Sequence, residues 1–176
     1  MQTLILPSEA LKSVGLIIDN SNSINSEVTS TTYNYHCFMI GTIGALIDEN
    51  QYCEIFKKEN LCNIPLTPAW FKGVINLRGN SVPVVDLNHY YDMPSIKNNK
   101  SQHSHILAIG NNKNICGIEI PEFPYKIQFS DDDIFHANVT LPKGLHNHID
   151  RIYEKDRLWI QLNTDSLFNQ LFSQMQ

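Results

Sequence analysis

No stretch of this 176-residue chain approaches the roughly 20 consecutive apolar residues that a helix needs to cross a bilayer, so direct membrane insertion is not expected. The apolar "LIL" at 4–6 has no basic residues ahead of it and is interrupted by Pro7, unlike a secretory leader. The four cysteines, Cys37, Cys53, Cys62 and Cys116, form no CxxC pair, which argues against a zinc ribbon or a thioredoxin-like redox site. They read as small buried hydrophobes in a reducing compartment, and the chain as cytoplasmic. Positive charge is scarce: 13 basic against 18 acidic residues give a net charge of -5, with no basic run or stripe, so no nucleic-acid partner is expected. There is no GxSxG elbow, HExxH helix or phosphate-cradling glycine loop, and no cysteine beside a candidate base, so no catalytic residue and no cofactor is assigned.

What is present falls into three parts. Residues 1–18 carry Leu11, Val14 and Ile18 at helical spacing behind a Pro-Ser-Glu start, and read as an amphipathic arm. Residues 19–34 are dominated by Asn, Ser and Thr, too polar to offset the entropy of ordering, and read as a linker. From 35 to 172 short apolar segments such as "YHCFMIG", "QYCEIF", "HILAIG", "ICGIEI" and "RLWIQL" alternate with Gly, Pro and Asn, the pattern of a mostly β domain built as small barrels or a sandwich. Helices are few. Thr67 with Pro68 can start one turn, Ser130 and Asp133 have capping-box spacing, and Leu167, Phe168, Leu171, Phe172 and Met175 make a C-terminal amphipathic stripe.

Three groups are candidates for chemistry. His103/His105 and His146/His148 stand two apart, which on a strand means one face. With Cys37 or Cys116 they could serve a metal- or ligand-binding sensor, although metal sites usually show tighter ligand pairs and carboxylates behind them. Asp131, Asp132 and Asp133 lack the alternating ligands and central glycine of a calcium loop and fit a helix start better. Arg78 ends the strand "VINLR", where Val74 and Asn76 share its face and Ile75 and Leu77 take the other. It either points to water at a hairpin turn or pairs with Glu54, the acid of the otherwise apolar "QYCEIF".

"LTPAWFKGVINLRGNSVPVVDL", 66–87, resembles the signature of the CheW-like domain of chemotaxis coupling proteins: a Thr-Pro-Ala turn, Lys72-Gly73-Val74, Asn76-Leu77-Arg78-Gly79 and Pro83-Val84-Val85-Asp86-Leu87. "YCEIF", "ICGIEI" and "DRLWIQLNTDSLF" fit as flanks, so the likeness covers about 35–172. It implies two small five-stranded SH3-like β-barrels, no enzymatic activity, and two partners: the cytoplasmic tip of a methyl-accepting chemoreceptor and the regulatory domain of a CheA-type histidine kinase, at membrane-associated arrays. It further implies a receptor-binding groove at Glu54, Ile55, Phe56, Gly73, Val74, Asn76, Arg78 and Gly79, and a kinase contact at Ile115, Gly117, Ile118 and Ile120. The leading arm and the "RIYEKDRLWIQL" ending resemble PilI, the branch of the family serving type IV pilus twitching motility. The chain departs from the family pattern at Pro121, which cannot donate to a sheet ladder, and in "HNHIDRIYEKD", which stands where the family has a glycine-containing loop.

Overall fold

The computed structural model describes residues 31–94, 105–111 and 114–175. The arm at 1–18 and most of the linker lie outside the described residues. Ten strands make two five-stranded sheets. The first holds β1 (Thr32–Ile40), β2 (Ile43–Asp48), β8 (Tyr125–Ser130), β9 (Ile149–Glu154) and β10 (Leu158–Leu162), in the order β8-β1-β2-β10-β9. The second holds β3 (Tyr52–Lys57), β4 (Phe71–Leu77), β5 (Asn80–Val85), β6 (His105–Asn111) and β7 (Asn114–Ile120), in the order β3-β6-β7-β5-β4. The second unit is thus inserted in the chain between β2 and β8 of the first. Each sheet contains one parallel pair, β2 with β10 and β5 with β7, among antiparallel neighbours.

One isolated bridge closes each sheet into a barrel. Ile134 meets Tyr153 of β9 in the first, and Cys62 meets Val74 of β4 in the second. The second closure is a reciprocal pair of backbone hydrogen bonds, Cys62 N–H to the Val74 carbonyl at 2.8 Å and Val74 N–H to the Cys62 carbonyl at 2.9 Å. Gly73 permits it: at φ +133°, an added Cβ would lie 2.2 Å from the Cys62 carbonyl oxygen.

Strands at the junction of the barrels bury both faces. Leu46 of β2, Trp159 of β10 and Ile106 and Ala108 of β6 point into a barrel, while Ala45, Ile47, Ile160, Leu107 and Ile109 point into a shared core between the two. Burial on both sides is why "GALI" and "HILAI" read as continuous apolar runs and not as an alternation. Helix α1 (Leu87–Tyr90), capped by Asp86, and helix α2 (Thr164–Ser173), capped by Asn163, both feed the shared core. Leu167, Phe168 and Leu171 of α2 are buried and Phe172 and Met175 pack beside them, as the C-terminal stripe predicts.

Four local readings change. Strand β1 begins at Thr32, inside the segment expected to be linker, because Tyr33 and Tyr35 supply the side chains that pair it to β8 and fill the barrel. Strand β9 lies in "HNHIDRIYEKD", where the sequence signals no strand: a bulge opposite Gln161/Leu162 breaks its alternation. Thr67 does not cap a helical turn, since its hydroxyl donates back to the Ile64 carbonyl at 2.9 Å. Cys62 is exposed, unlike Cys37 and Cys116. The Ser130–Asp133 expectation holds in a 3₁₀ turn, where the Asp133 carboxylate accepts from the Ser130 N–H at 2.7 Å and hydroxyl at 3.0 Å.

Candidate functional site

The outer side of the second barrel, where β3 and β4 are the terminal strands of the sheet, brings the sequence candidates together. The β4–β5 hairpin turns through Arg78 and Gly79 at φ 51° and 88°, the two positive values that a two-residue type I′ loop demands. Glycine accepts that conformation freely and arginine does not, so Arg78 is held there by its surroundings. The Asn76 side-chain oxygen accepts from the Gly79 N–H at 2.9 Å and pins the turn. Arg78 then reaches across to β3, with Nη2 3.4 Å from Glu54 Oε2. The same carboxylate oxygen accepts from the Tyr52 hydroxyl, and that bond raises the Tyr52 pKa.

Both expectations for Arg78 therefore hold in part: it sits at a turn facing water and it pairs with Glu54. Side-chain exposures of 76% for Arg78 and 37% for Glu54 put the pair in solvent, where it contributes little to stability. Its effect is geometric, a tie between two strands that do not pair directly. At the other end of the β4–β5 hairpin, Lys72 at 3.3 Å and the His89 ring at 2.7 Å converge on Asp86. Burial pushes the Asp86 carboxyl up, but the His89 hydrogen bonds and the Lys72 charge outweigh it and leave the pKa lowered.

The candidate groove is only partly assembled. Val74, Asn76 and Arg78 share the outward face of β4, while Ile75 and Leu77 fill the barrel. On β3, however, Ile55 and Phe56 are neighbours and point to opposite faces: Phe56 packs with Tyr52 against the barrel interior, and Ile55 is exposed. The two cannot line one wall. Gly73 is buried and acts through the closure at Cys62, whereas Gly79 is exposed at the turn.

Sequence reasoning missed Ile64 and Leu66. Both are exposed in the loop leading to β4, and Leu66 is fully exposed with a left-handed φ of 63°. A leucine held out in water in a disfavoured backbone conformation, beside Pro65, is an apolar tip offered outward. The signal available was "NIPLTP", an apolar pair in a proline-bounded loop with no strand to join.

The side chains expected to meet the kinase on β7 face mostly inward. Gly117, Ile118 and Ile120 are buried and Ile115 packs on the second barrel's core. β7 is also the central strand of its sheet, so its backbone is occupied on both sides. Apolar surface instead appears at the β7–β8 connection, where Phe123 and Tyr125 are 62% and 53% exposed and the Phe123 ring leans on His105, with centroids 4.0 Å apart and planes tilted by 43°.

The histidines do not converge. Residues 145–148 form a 3₁₀ turn and not a strand, so His146 is exposed while His148 turns inward, its Nδ1 2.8 Å from the Ser166 hydroxyl. His103 lies outside the described residues. Among the described residues no three His, Cys, Asp or Glu side chains are placed to hold a metal. No described helix is long and apolar enough to cross a membrane.

The family model of the CheW-like domain matches residues 34–172. The chain belongs to the CheW-like family. Members of this family are non-enzymatic scaffolding and coupling proteins. The chemotaxis protein CheW of Helicobacter pylori is 30% identical over 106 residues, 56% of this chain and 63% of that protein, so the match spans less than two thirds of the relative's length. The crystal structure of the scaffolding protein TtCheW from Thermoanaerobacter tengcongensis has a TM-score of 0.61 at 21% identity, covering 75% of this chain and 89% of that one. That likeness is one of fold.

Proposed function

We propose that this CheW-like chain couples the cytoplasmic tip of a methyl-accepting chemoreceptor to the regulatory domain of a CheA-type histidine kinase, and is recruited to membrane-associated arrays by those contacts. The observation that carries the reading is the solvent-facing Glu54–Arg78 tie between the two terminal strands of the second barrel's sheet. The receptor surface comprises Val74, Asn76, Arg78 and Gly79, the neighbouring Glu54, and the apolar residues Ile64 and Leu66 of the loop that leads into β4. A receptor helix meeting it would gain affinity from the apolar anchors and register from the charged tie. A coupling protein needs a second surface, and the Phe123/Tyr125 patch at the β7–β8 connection is the one we assign to the kinase in place of β7. Each contact is weak alone and becomes stable through the multivalency of an array.

Within the family, the leading arm and the closing hairpin favour the PilI branch and an output through type IV pilus twitching. The reading as a histidine-based metal sensor has no support from the placement of His105, His146 and His148.

The test is a pull-down from lysate of the native cell with the purified chain as bait. A multidomain histidine kinase and a chemoreceptor are expected together. Arg78→Ala and Leu66→Asp should lose the receptor, and Phe123→Ser should lose the kinase. Recovery of neither partner by the unaltered chain would overturn the proposal. Deleting the chain from the cell should abolish twitching on surfaces; intact twitching with lost swimming would assign a flagellar output instead.

A further inference from the structure

A groove of about 350 Å³ runs along the first barrel between β9 and the irregular segment that follows the 3₁₀ turn at 131–133. Ile134, Phe135, Leu141, Ile149 and Ile152 line it, each half-buried, so its floor is apolar and open to water. The volume is at the low end for a small-molecule pocket and suits a few aliphatic side chains from one face of a helix.

The chain enters the barrel beside this groove. Arg151, at the groove's rim, lies 4.9 Å from the ring centroid of Tyr33, the second residue of β1, and Asp131 accepts from the Tyr33 hydroxyl at 3.0 Å. Strand β1 therefore starts next to the groove wall, with 31 residues of the chain ahead of it. Their last part, 19–31, is polar, and a chain of that length reaches at most about 43 Å. Ahead of it stand Leu11, Val14 and Ile18 at the i, i+3, i+7 spacing of a helix that lays one apolar face into a groove. Glu9 and Lys12 in the same segment are complementary in charge to Arg151, which lies over Tyr33, and Asp150, which accepts from Asn163, at the rim.

We propose that residues 3–18 of this chain dock in cis into the Ile134–Ile152 groove of the first barrel, with Leu11, Val14 and Ile18 as the anchors. The tether is short enough that the arm's effective concentration at the groove reaches the millimolar range, so a shallow groove can hold it. The site lies on the first barrel and is separate from the surface proposed for the receptor on the second.

The full chain carrying the photoreactive residue p-benzoylphenylalanine in place of Leu11 tests this. Irradiation should give a cross-link within one chain, at monomer mass and independent of protein concentration, to peptides between residues 134 and 152. Leu141→Asp in the same chain should remove it. Should Leu141→Asp perturb folding, Val14→Asp serves instead, since it lies outside the barrels. Hydrogen exchange of the 145–152 amides should then quicken about tenfold over the unaltered chain. Cross-links that map elsewhere on the domain, that appear only at dimer mass, or that do not form, and equal exchange in Val14→Asp, would each overturn the docking.

Discussion

The two barrels have five strands each and the same kind of closure, yet they are filled by different means. The first is packed with Tyr35, Phe129, Tyr153 and Trp159, the second with Ile75, Leu77, Val82, Val84, Ile106 and Ala108. The aromatic lumen is ordered by geometry: Phe129 and Tyr153 stack at 4.6 Å, and the hydroxyls of Tyr35 and Tyr153 meet at 2.8 Å, with Tyr35 also donating to Gln161 at 3.1 Å. Lys155 lies 4.8 Å from the Phe129 ring centroid and Arg157 5.8 Å from that of Trp159, adding cation–π contacts. The aliphatic lumen has no such directional contacts and tolerates repacking better. It is the barrel of aliphatics that carries the exposed tips Ile55, Ile64 and Leu66 and the Glu54–Arg78 tie. The first barrel shows an exposed aromatic at the start of β8, Tyr125, and the second shows exposed aliphatics and the charged tie.

The sharpest break of that contrast is Trp159→Ala. Trp159 is buried and its ring occupies space that an added Cβ on Gly44 would enter at 2.2 Å, so the site is close-packed. The substitution should cost about 3–5 kcal/mol in denaturant unfolding, whereas Ile106→Val in the second lumen should cost about 1 kcal/mol. Comparable losses from both would remove the distinction. Gly73→Ala comes next. A Cβ there collides with the Cys62 carbonyl oxygen and strains the backbone, so the bridge that closes the second barrel must open, at about 3 kcal/mol. The near-UV dichroism of the first barrel's aromatics should survive at temperatures below the transition; its loss would mean that the barrels do not close independently.

Smaller effects probe the polar groups. Tyr153→Phe should cost about 1 kcal/mol, because Tyr35 keeps its bond to Gln161 and no hydroxyl is stranded. His148, buried beside α2, has its pKa lowered from 6.5 by burial. Its unfolded form binds a proton more readily than its folded form, so its contribution is complete above the unfolded value and is lost as pH falls through 6.5 toward the folded one. Thermal unfolding followed from pH 7.5 to 5 should show that decline, and His148→Gln should flatten it; an unchanged slope would exclude His148 as its source.

How much of this was legible in the sequence depends on which contacts decide each element. The one-sided strand "VINLR" and the α2 stripe follow from periodicity, and both stand in the structure. Strand β9 was hidden because its bulge shifts the register, and the faces of β3 were mixed because Ile55 and Phe56 are both apolar and only the fold says which is inside. The burial of "ICGIEI" has a topological reason: a run buried on both faces reads like any apolar segment, and its central place in the sheet is set by a parallel partner far along the chain. Ile64 and Leu66 were passed over because a loop gives no periodic signal, so their exposure appears only once the barrel behind them is closed.

The smallest stability effect carries the largest functional one. Because Arg78 and Glu54 face solvent, a double-mutant cycle of Arg78→Ala and Glu54→Ala on unfolding should give a coupling of about 0.5 kcal/mol or less. The same cycle read on receptor binding should give a clearly larger, non-additive term, because a partner that covers the pair withdraws it from water and makes each charge depend on the other. Equal coupling in both readouts would mean that the tie serves the fold, and the second barrel would then differ from the first in what fills it but not in what it does. A coupling confined to binding would place the recognition role on the two terminal strands of the sheet, where a charge can be exposed without cost until the partner arrives.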